Sequence, residues 1–214
     1  MRLVSNGLAG CLLLLGAMVH AEERTFQVFV DGKPAGVCRT TVSTEGDVET
    51  VTMTTDVKVR FLGFKYEYSS KSVEFWKGGV VQKLESTVND DGKKLHVKAE
   101  AGEQGLTATS KGRSVICPKE SIPSTGWRIP RLDIPKQTAT VLDTEDGTAT
   151  AVQIDFIGKW QSKLATQNIE GFRFKVTGKG IDNEWVYDAA GRPVRQTMKW
   201  DGHAIVLEIT GIQK

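Results

Sequence analysis

The sequence predicts an all-β, mainly antiparallel fold: a strongly curved sheet or open half barrel, with one Pro-rich crossing loop. Three observations predict it. Turn signals recur along the whole chain, at Asp31-Gly32-Lys33, Glu45-Gly46-Asp47, Lys77-Gly78-Gly79, Asp90-Asp91-Gly92, Glu170-Gly171, Ala190-Gly191-Arg192 and Asp201-Gly202. The runs between them are β-branched and aromatic with period-two alternation, the mark of half-buried strands. No window beyond the first apolar run carries a helical stripe.

The first segment has the three parts of a secretory signal. Arg2 supplies the charge, Leu8–Val19 the apolar run, and Val19-His20-Ala21 the cleavage region. The apolar run is shorter than the roughly 20 residues of a membrane span. Leu8-Ala9-Gly10-Cys11 reads like a lipidation motif, but its cysteine precedes most of the apolar run that such a motif should close. The sequence therefore predicts a signal peptide at 1–21, cleaved after Ala21, and a single β domain at 22–214 that is periplasmic or secreted, with no integral span after cleavage.

Two long strands come next, at about 48–62 and 64–77. In the first, Val51, Met53, Val57, Val59 and Phe61 share one parity. In the second, Phe64, Tyr66 and Tyr68 are even but Val73 and Phe75 odd, which predicts a bulge or a strand passing between packed faces. Long, bent strands suit a curved sheet. Leu95, Val97 and Ala99 alternate with His96, Lys98 and Glu100. Residues 117–137 hold four of the six prolines (Pro118, Pro123, Pro130 and Pro135), so they break the ladder pattern. This loop divides the chain into two sub-sheets, 22–116 and 138–214. It is read as a tether crossing between two ends of one sheet, with a functional loop as the alternative. Val152, Ile154 and Phe156 alternate next. The segment around Trp160–Leu164 is compatible with one turn of helix, but Lys163–Ile169 followed by Glu170-Gly171 reads better as a hairpin arm, and Phe172, Phe174 and Val176 alternate after it. His203, Ile205, Leu207 and Ile209 form the last strand.

Composition excludes several function classes. Without Arg2 there are 27 basic and 26 acidic residues, and the basic ones are scattered, which argues against a nucleic-acid or anionic-membrane footprint. After cleavage only Cys38 and Cys117 remain. In an oxidising compartment they are a disulfide candidate; the alternative is two buried free thiols. There is no CxxC for redox work. His96 and His203 lack zinc-site spacing, so no metal and no cofactor are expected. No nucleophile elbow, P-loop or dinucleotide fingerprint occurs. Glu67, Glu74, Asp182, Glu184 and Asp188 are read as solvated strand faces.

Aromatic residues carry the better signal. Tyr66, Tyr68, Trp76, Trp127, Trp185, Tyr187 and Trp200 are the candidate ligand-binding residues, since tyrosine and tryptophan suit an apolar surface that needs a polar tip. Trp185 and Tyr187 share a parity, as do Met198 and Trp200 on the next strand, so the four are expected to cluster. The alternative for all of them is core filling.

Four stretches read together carry a resemblance: FQVFVDGKPAGVCRTTV, DVKVRFLGFKYEYSSKSVEFWKGG, VLDTEDGTATAVQIDFIG and EWVYDAAGRPVRQTMKWDG. Their order over most of residues 25–212 resembles a family of exported bacterial proteins described only as a domain of unknown function. The resemblance implies a curved antiparallel sheet related to the periplasmic lipoprotein carriers and to a violacein-pathway enzyme of similar fold. Unlike the carriers, this sequence offers no helices to plug the concave side. Either the Pro-rich loop and Trp127 cover it, or the cleft is open.

The leading expectation is a non-catalytic exported protein that binds an apolar or amphipathic ligand, a lipid or lipid-modified molecule. The second is an envelope protein–protein interaction module. The third, a cofactor-free enzyme, rests on the fold resemblance alone.

Overall fold

A computed structural model describes residues 20–61, 64–129, 131–164 and 167–214. Asp-Gly turns set its repeating unit: Asp31 and Gly32 have φ of 49° and 76°, the paired positive values of a type I′ hairpin, and Asp91-Gly92 repeats them. Such turns drive consecutive strands into neighbouring, antiparallel positions. The first meander is β1 (His20–Val30), β2 (Lys33–Glu45), β3 (Val48–Phe61), β4 (Phe64–Lys77), β5 (Val80–Asp90), β6 (Lys93–Gly102), β7 (Gly105–Ser110) and β8 (Arg113–Cys117). The second is β9 (Ile122–Pro123), β10 (Lys136–Leu142), β11 (Ala149–Leu164), β12 (Gln167–Gly178), β13 (Ile181–Tyr187), β14 (Pro193–Trp200) and β15 (His203–Gln213).

All fifteen strands form one sheet, in the order β8 to β1 and then β15 down to β9. The seam is the antiparallel β1–β15 ladder, and only β9–β10 is parallel. The two outermost strands, β8 and β9, are joined by residues 118–121 alone. So short a link spans at most about 18 Å, which forces the two edges toward each other. The rings of Tyr66 on β4 and Trp200 on β14 lie 5.6 Å apart, although five ladder steps, about 24 Å of sheet, separate their strands. The sheet is thus curled nearly into a barrel, with β8 and β9 left unpaired at a slit.

The ladders show which side chains face inward. Val42, Val51 and Glu74 share one face, as do Cys38, Thr55 and Ser70, and Val57 and Tyr68. The long strands fall where the sequence placed them, but the expected parity change in β4 does not occur. The β3–β4 ladder runs without a shift, and β4 turns Tyr66, Tyr68, Ser72, Glu74 and Trp76 inward throughout. Val73 and Phe75 face outward and are half-buried. The apolar pattern misled because Ser72 and Glu74, buried to 5% and 1% exposure, occupy inward places. A bulge does exist in β4, at Phe75/Trp76 against β5.

The Pro-rich segment crosses between the two edges of the sheet, as expected, and contributes the short strand β9 on the way. Residues 160–164 are strand, within the β11–β12 hairpin. Residues 1–19, and with them most of the segment expected to be a signal peptide and the Cys11 motif, lie outside the described residues. His20 and Ala21 begin β1, opposite Thr44 and Ser43.

The disulfide candidate is corrected. Cys38 and Cys117 are both buried free thiols in separate parts of the core. Cys38 packs with Phe26, Val28 and Val57, and Cys117 with Leu106, Ala108 and Trp127. The Cys117 thiol donates to the Leu106 carbonyl at 3.2 Å. Burial pushes the Cys38 thiol up to about 11, against the hydrogen bonds of Thr55 and Thr40. Unreduced, denatured protein is therefore expected to alkylate at both positions and the native protein at neither; a mass gain of two hydrogens on reduction is the contrary result.

Close approach limits one position in this frame. A Cβ on Gly36 would meet the Asp56 carbonyl oxygen and come within 2.8 Å of the Val57 Cα. Gly36→Ala is expected to lower stability by about 3 kcal/mol, the upper end for overpacking, as read by denaturant melts.

Candidate functional site

The interior has two ends of different character. At the first, residues 124–129 of the crossing loop turn into the curl of the sheet and are held by polar side chains. Pro-rich segments cannot satisfy themselves with ladder bonds, so a buried one needs such partners. The Tyr187 hydroxyl donates to the Gly126 carbonyl at 2.9 Å, and the Gln196 amide donates to Thr125 and Gly126 carbonyls at 3.0 and 3.2 Å. Thr125 Oγ1 donates to Glu74 Oε1 at 2.6 Å and Trp76 Nε1 to Glu74 Oε2 at 2.8 Å.

Glu49 is the hub. Its carboxylate receives Trp127 Nε1 at 3.0 Å, Arg128 Nη2 at 2.9 and 3.0 Å, and both Arg192 terminal nitrogens at 2.9 and 2.6 Å. The Arg192 guanidinium also lies 4.7 Å from the Trp127 ring centre. Burial opposes charge on Glu49, but the Arg192 and Trp127 hydrogen bonds and the two guanidinium charges outweigh it and bring the carboxyl down to about 2. Among the described residues no basic side chain pairs with Glu74. Burial, reinforced by the nearby Glu49, pushes it up to about 7 against the Thr125 and Trp76 hydrogen bonds.

Four of the sequence-predicted aromatics belong to this closed end. Trp76, Trp127, Trp185 and Tyr187 are each no more than 2% exposed. Trp127 is a plug packed among Val42, Val51, Trp76 and Leu142 rather than a lid over an open surface. The expected four-residue aromatic cluster is also corrected. Trp185 meets Tyr187 edge-on at 6.5 Å, but its partner across the hairpin is Gln196, and Trp200 turns to Tyr66 instead. Nor are three of the carboxylates solvated: Glu74 is buried, Glu184 pairs with Arg173 at 2.9 Å, and Asp188 with Arg24 at 2.7 Å.

The second end brings together the remaining candidates, Tyr66, Tyr68 and Trp200. Inward-facing Met53 and Val59 of β3, Met198 of β14, and Ile205 and Leu207 of β15 extend their surface, and all five are only half-buried. Trp200 is 37% exposed. The Tyr66 hydroxyl donates to Asp90 Oδ1 at 2.8 Å, and the Tyr68 hydroxyl to Glu145 Oε1 at 2.6 Å. Burial and these carboxylates raise both phenols. Burial also raises the Glu145 carboxyl, against the Tyr68 hydrogen bond and with the charges of Asp143, Asp90 and Asp146 adding to it. Glu145 reaches this end because the β10–β11 turn folds over β7, where Gly147 sits against Ser110. The sequence reading missed Asp90 and Glu145, since each lies at a turn whose spacing carries no motif. The arrangement is a partly exposed aromatic and apolar end of the curl with carboxylates at its rim, which is chemistry for binding.

The closed end generates two expectations. Glu49→Ala strands two guanidinium groups, so it is expected to cost about 3 kcal/mol, the lower figure for breaking a buried pair, in denaturant melts. Glu74 is raised above its ordinary value near 4.5, so the folded state holds its proton longer than the unfolded chain does. Its contribution is fully present below pH 4.5 and declines as pH rises to about 7. The stability of Glu74→Gln relative to the parent should therefore increase from pH 5 to pH 7; a difference flat with pH would contradict this.

The sequence matches none of the curated proteins it was compared with. Its fold is similar to the crystal structure of a β-barrel-like protein of domain of unknown function DUF1849 from Brucella abortus, with a TM-score of 0.62 at 10% identity over 92% of this chain and 99% of that one. That likeness supports the curled, barrel-like sheet and concerns the fold alone. The match of residues 26–210 to the family model is of another order, covering most of the sequence: the chain belongs to the DUF6134 family, a domain of unknown function.

Proposed function

We propose that this protein binds an apolar or amphipathic ligand, a lipid or lipid-modified molecule, at the opening walled by Tyr66, Tyr68 and Trp200. One observation carries the reading: inward-facing apolar side chains at this end are only partly buried, while the loop packs the other end shut. Apolar surface left to water forgoes about 25 cal/mol per Å². A contiguous uncovered stretch of it on a monomer marks a place where something docks. The tyrosine hydroxyls, already oriented by carboxylates, supply polar tips at the rim. The signal peptide read at residues 1–21 sets the compartment of this proposal, periplasmic or secreted. Among the described residues no helix is long and apolar enough to cross a membrane.

A second reading, docking of a protein partner by strand addition, has its own observation. β8 is an outermost strand and exposes Val115 and Ile116, at 38% and 55%.

Titration with a long-chain fatty acid and with a lysophospholipid, followed by tryptophan emission, tests the first reading. Trp200→Phe should remove most of the response and Trp127→Phe should keep it. No response to either lipid, or one carried by Trp127, contradicts the proposal.

A further inference from the structure

We infer that the ligand's polar end is cationic, an amine or quaternary ammonium seated between the Tyr66 and Trp200 rings and the Asp90 and Glu145 carboxylates. The inference rests on the binding site proposed above and names the chemistry of its rim. The aromatic wall is the first ground. Tyr66 and Trp200 lie 5.6 Å apart and tilted by 40°, with Trp200 partly open to solvent. Ring faces carry negative charge density and attract cations, ammonium groups above all.

Charge is the second ground. At the closed end and along the seam, several half-buried carboxylates have basic partners: Glu22 and Asp188 share Arg24, Glu49 has two arginines, and Glu184 has Arg173 and Arg195. At the opening this pairing stops. Among the described residues Asp90, Asp91, Asp143, Glu145 and Asp146 have no lysine, arginine or histidine within 4.0 Å. Asp90 and Glu145 each take a single tyrosine hydroxyl, on Oδ1 and Oε1. Among the described residues no protein donor reaches the other oxygen of either. Lys93 stands opposite Asp90 in the β5–β6 ladder but is exposed and unpaired with it, and His203 is committed to Asp31 at 2.7 Å.

Together these features select among head groups. An anionic head would meet the half-buried Asp90 and Glu145 carboxylates, and a neutral one would leave their charge uncompensated. A bare metal ion wants several oxygen ligands converging, and no three metal-ligating side chains converge among the described residues. A cation on an alkyl chain satisfies both parts: its head faces the rings and carboxylates, and its tail lies along Val59, Met198 and Leu207.

The test compares dodecyltrimethylammonium, dodecyl maltoside and dodecyl sulfate, all below their micelle concentrations, by calorimetric titration of the whole protein. The ammonium probe should bind about tenfold more tightly than the maltoside, with the sulfate weakest. Asp90→Asn and Glu145→Gln should each reduce the ratio of ammonium to maltoside affinity, with thermal melts confirming that both variants fold. Equal affinities for the three probes, a preference for sulfate, or a ratio untouched by both variants overturns the cationic assignment while the binding site stands. Binding of none of them overturns the site as well.

Discussion

The Glu49 carboxylate is the interaction on which the rest of this structure depends. It joins three parts of the chain that no ladder connects: strand β3, the crossing loop through Trp127 and Arg128, and the β13–β14 turn through Arg192. A buried charge is costly, and here the cost is met by two guanidinium groups and an indole N–H that nearly exhaust its acceptor sites. The loop is thereby drawn inward at the point where two sheet edges approach each other. The loop enters directly after β9, so the plug and the slit between β8 and β9 lie side by side.

Tight curling also needs inner walls that can come near each other. Midway along the first meander, four of the six inward positions in one ladder row are small and polar: Thr40, Ser72, Ser86 and Ser110 are all buried, beside Met53 and Val97. Large apolar groups gather above and below this belt, around Trp127 at one end and around Phe26, Val28 and Cys38 toward the other. Small side chains where a barrel narrows are a general device of such sheets. The belt explains why β4 carries serines and a glutamate on its inner face, where a simple strand would place valines.

That face also shows where reading the sequence succeeds and where it fails. The turns and long strands were legible because each depends on neighbours in the chain: Asp-Gly pairs set hairpins, and alternation sets strands. The inward face of β4 was not legible from apolar parity, because Glu74 is buried through Thr125, a partner 51 positions away. The same holds for the aromatics. Composition singled out Tyr66, Tyr68 and Trp200 together with Trp76, Trp127, Trp185 and Tyr187, but only the closure of β4 against β14 separates the open set from the packed one. Asp90 and Glu145 escaped notice because turn carboxylates look alike until a tyrosine from another strand reaches them. Cys38 and Cys117 show the converse: compartment favoured a bond, and burial in separate clusters decided against it.

The two ends of the interior are nearly independent in energetic terms. The plugged end owes its stability to the Glu49 network and to core residues such as Trp127 and Leu142, none of which reaches Trp200 or Tyr66. Side chains without shared partners contribute nearly additively. The opening can therefore hold half-exposed apolar groups, and carboxylates without basic partners, while the closed end carries the fold. The likeness to the Brucella protein at 10% identity shows that the curl can persist while most of the sequence changes. In the binding reading proposed above, the part of the interior left for a ligand is the mouth, with its two tyrosines, Trp200 and two rim carboxylates, because the closed end is already spent on holding the sheet in its curve.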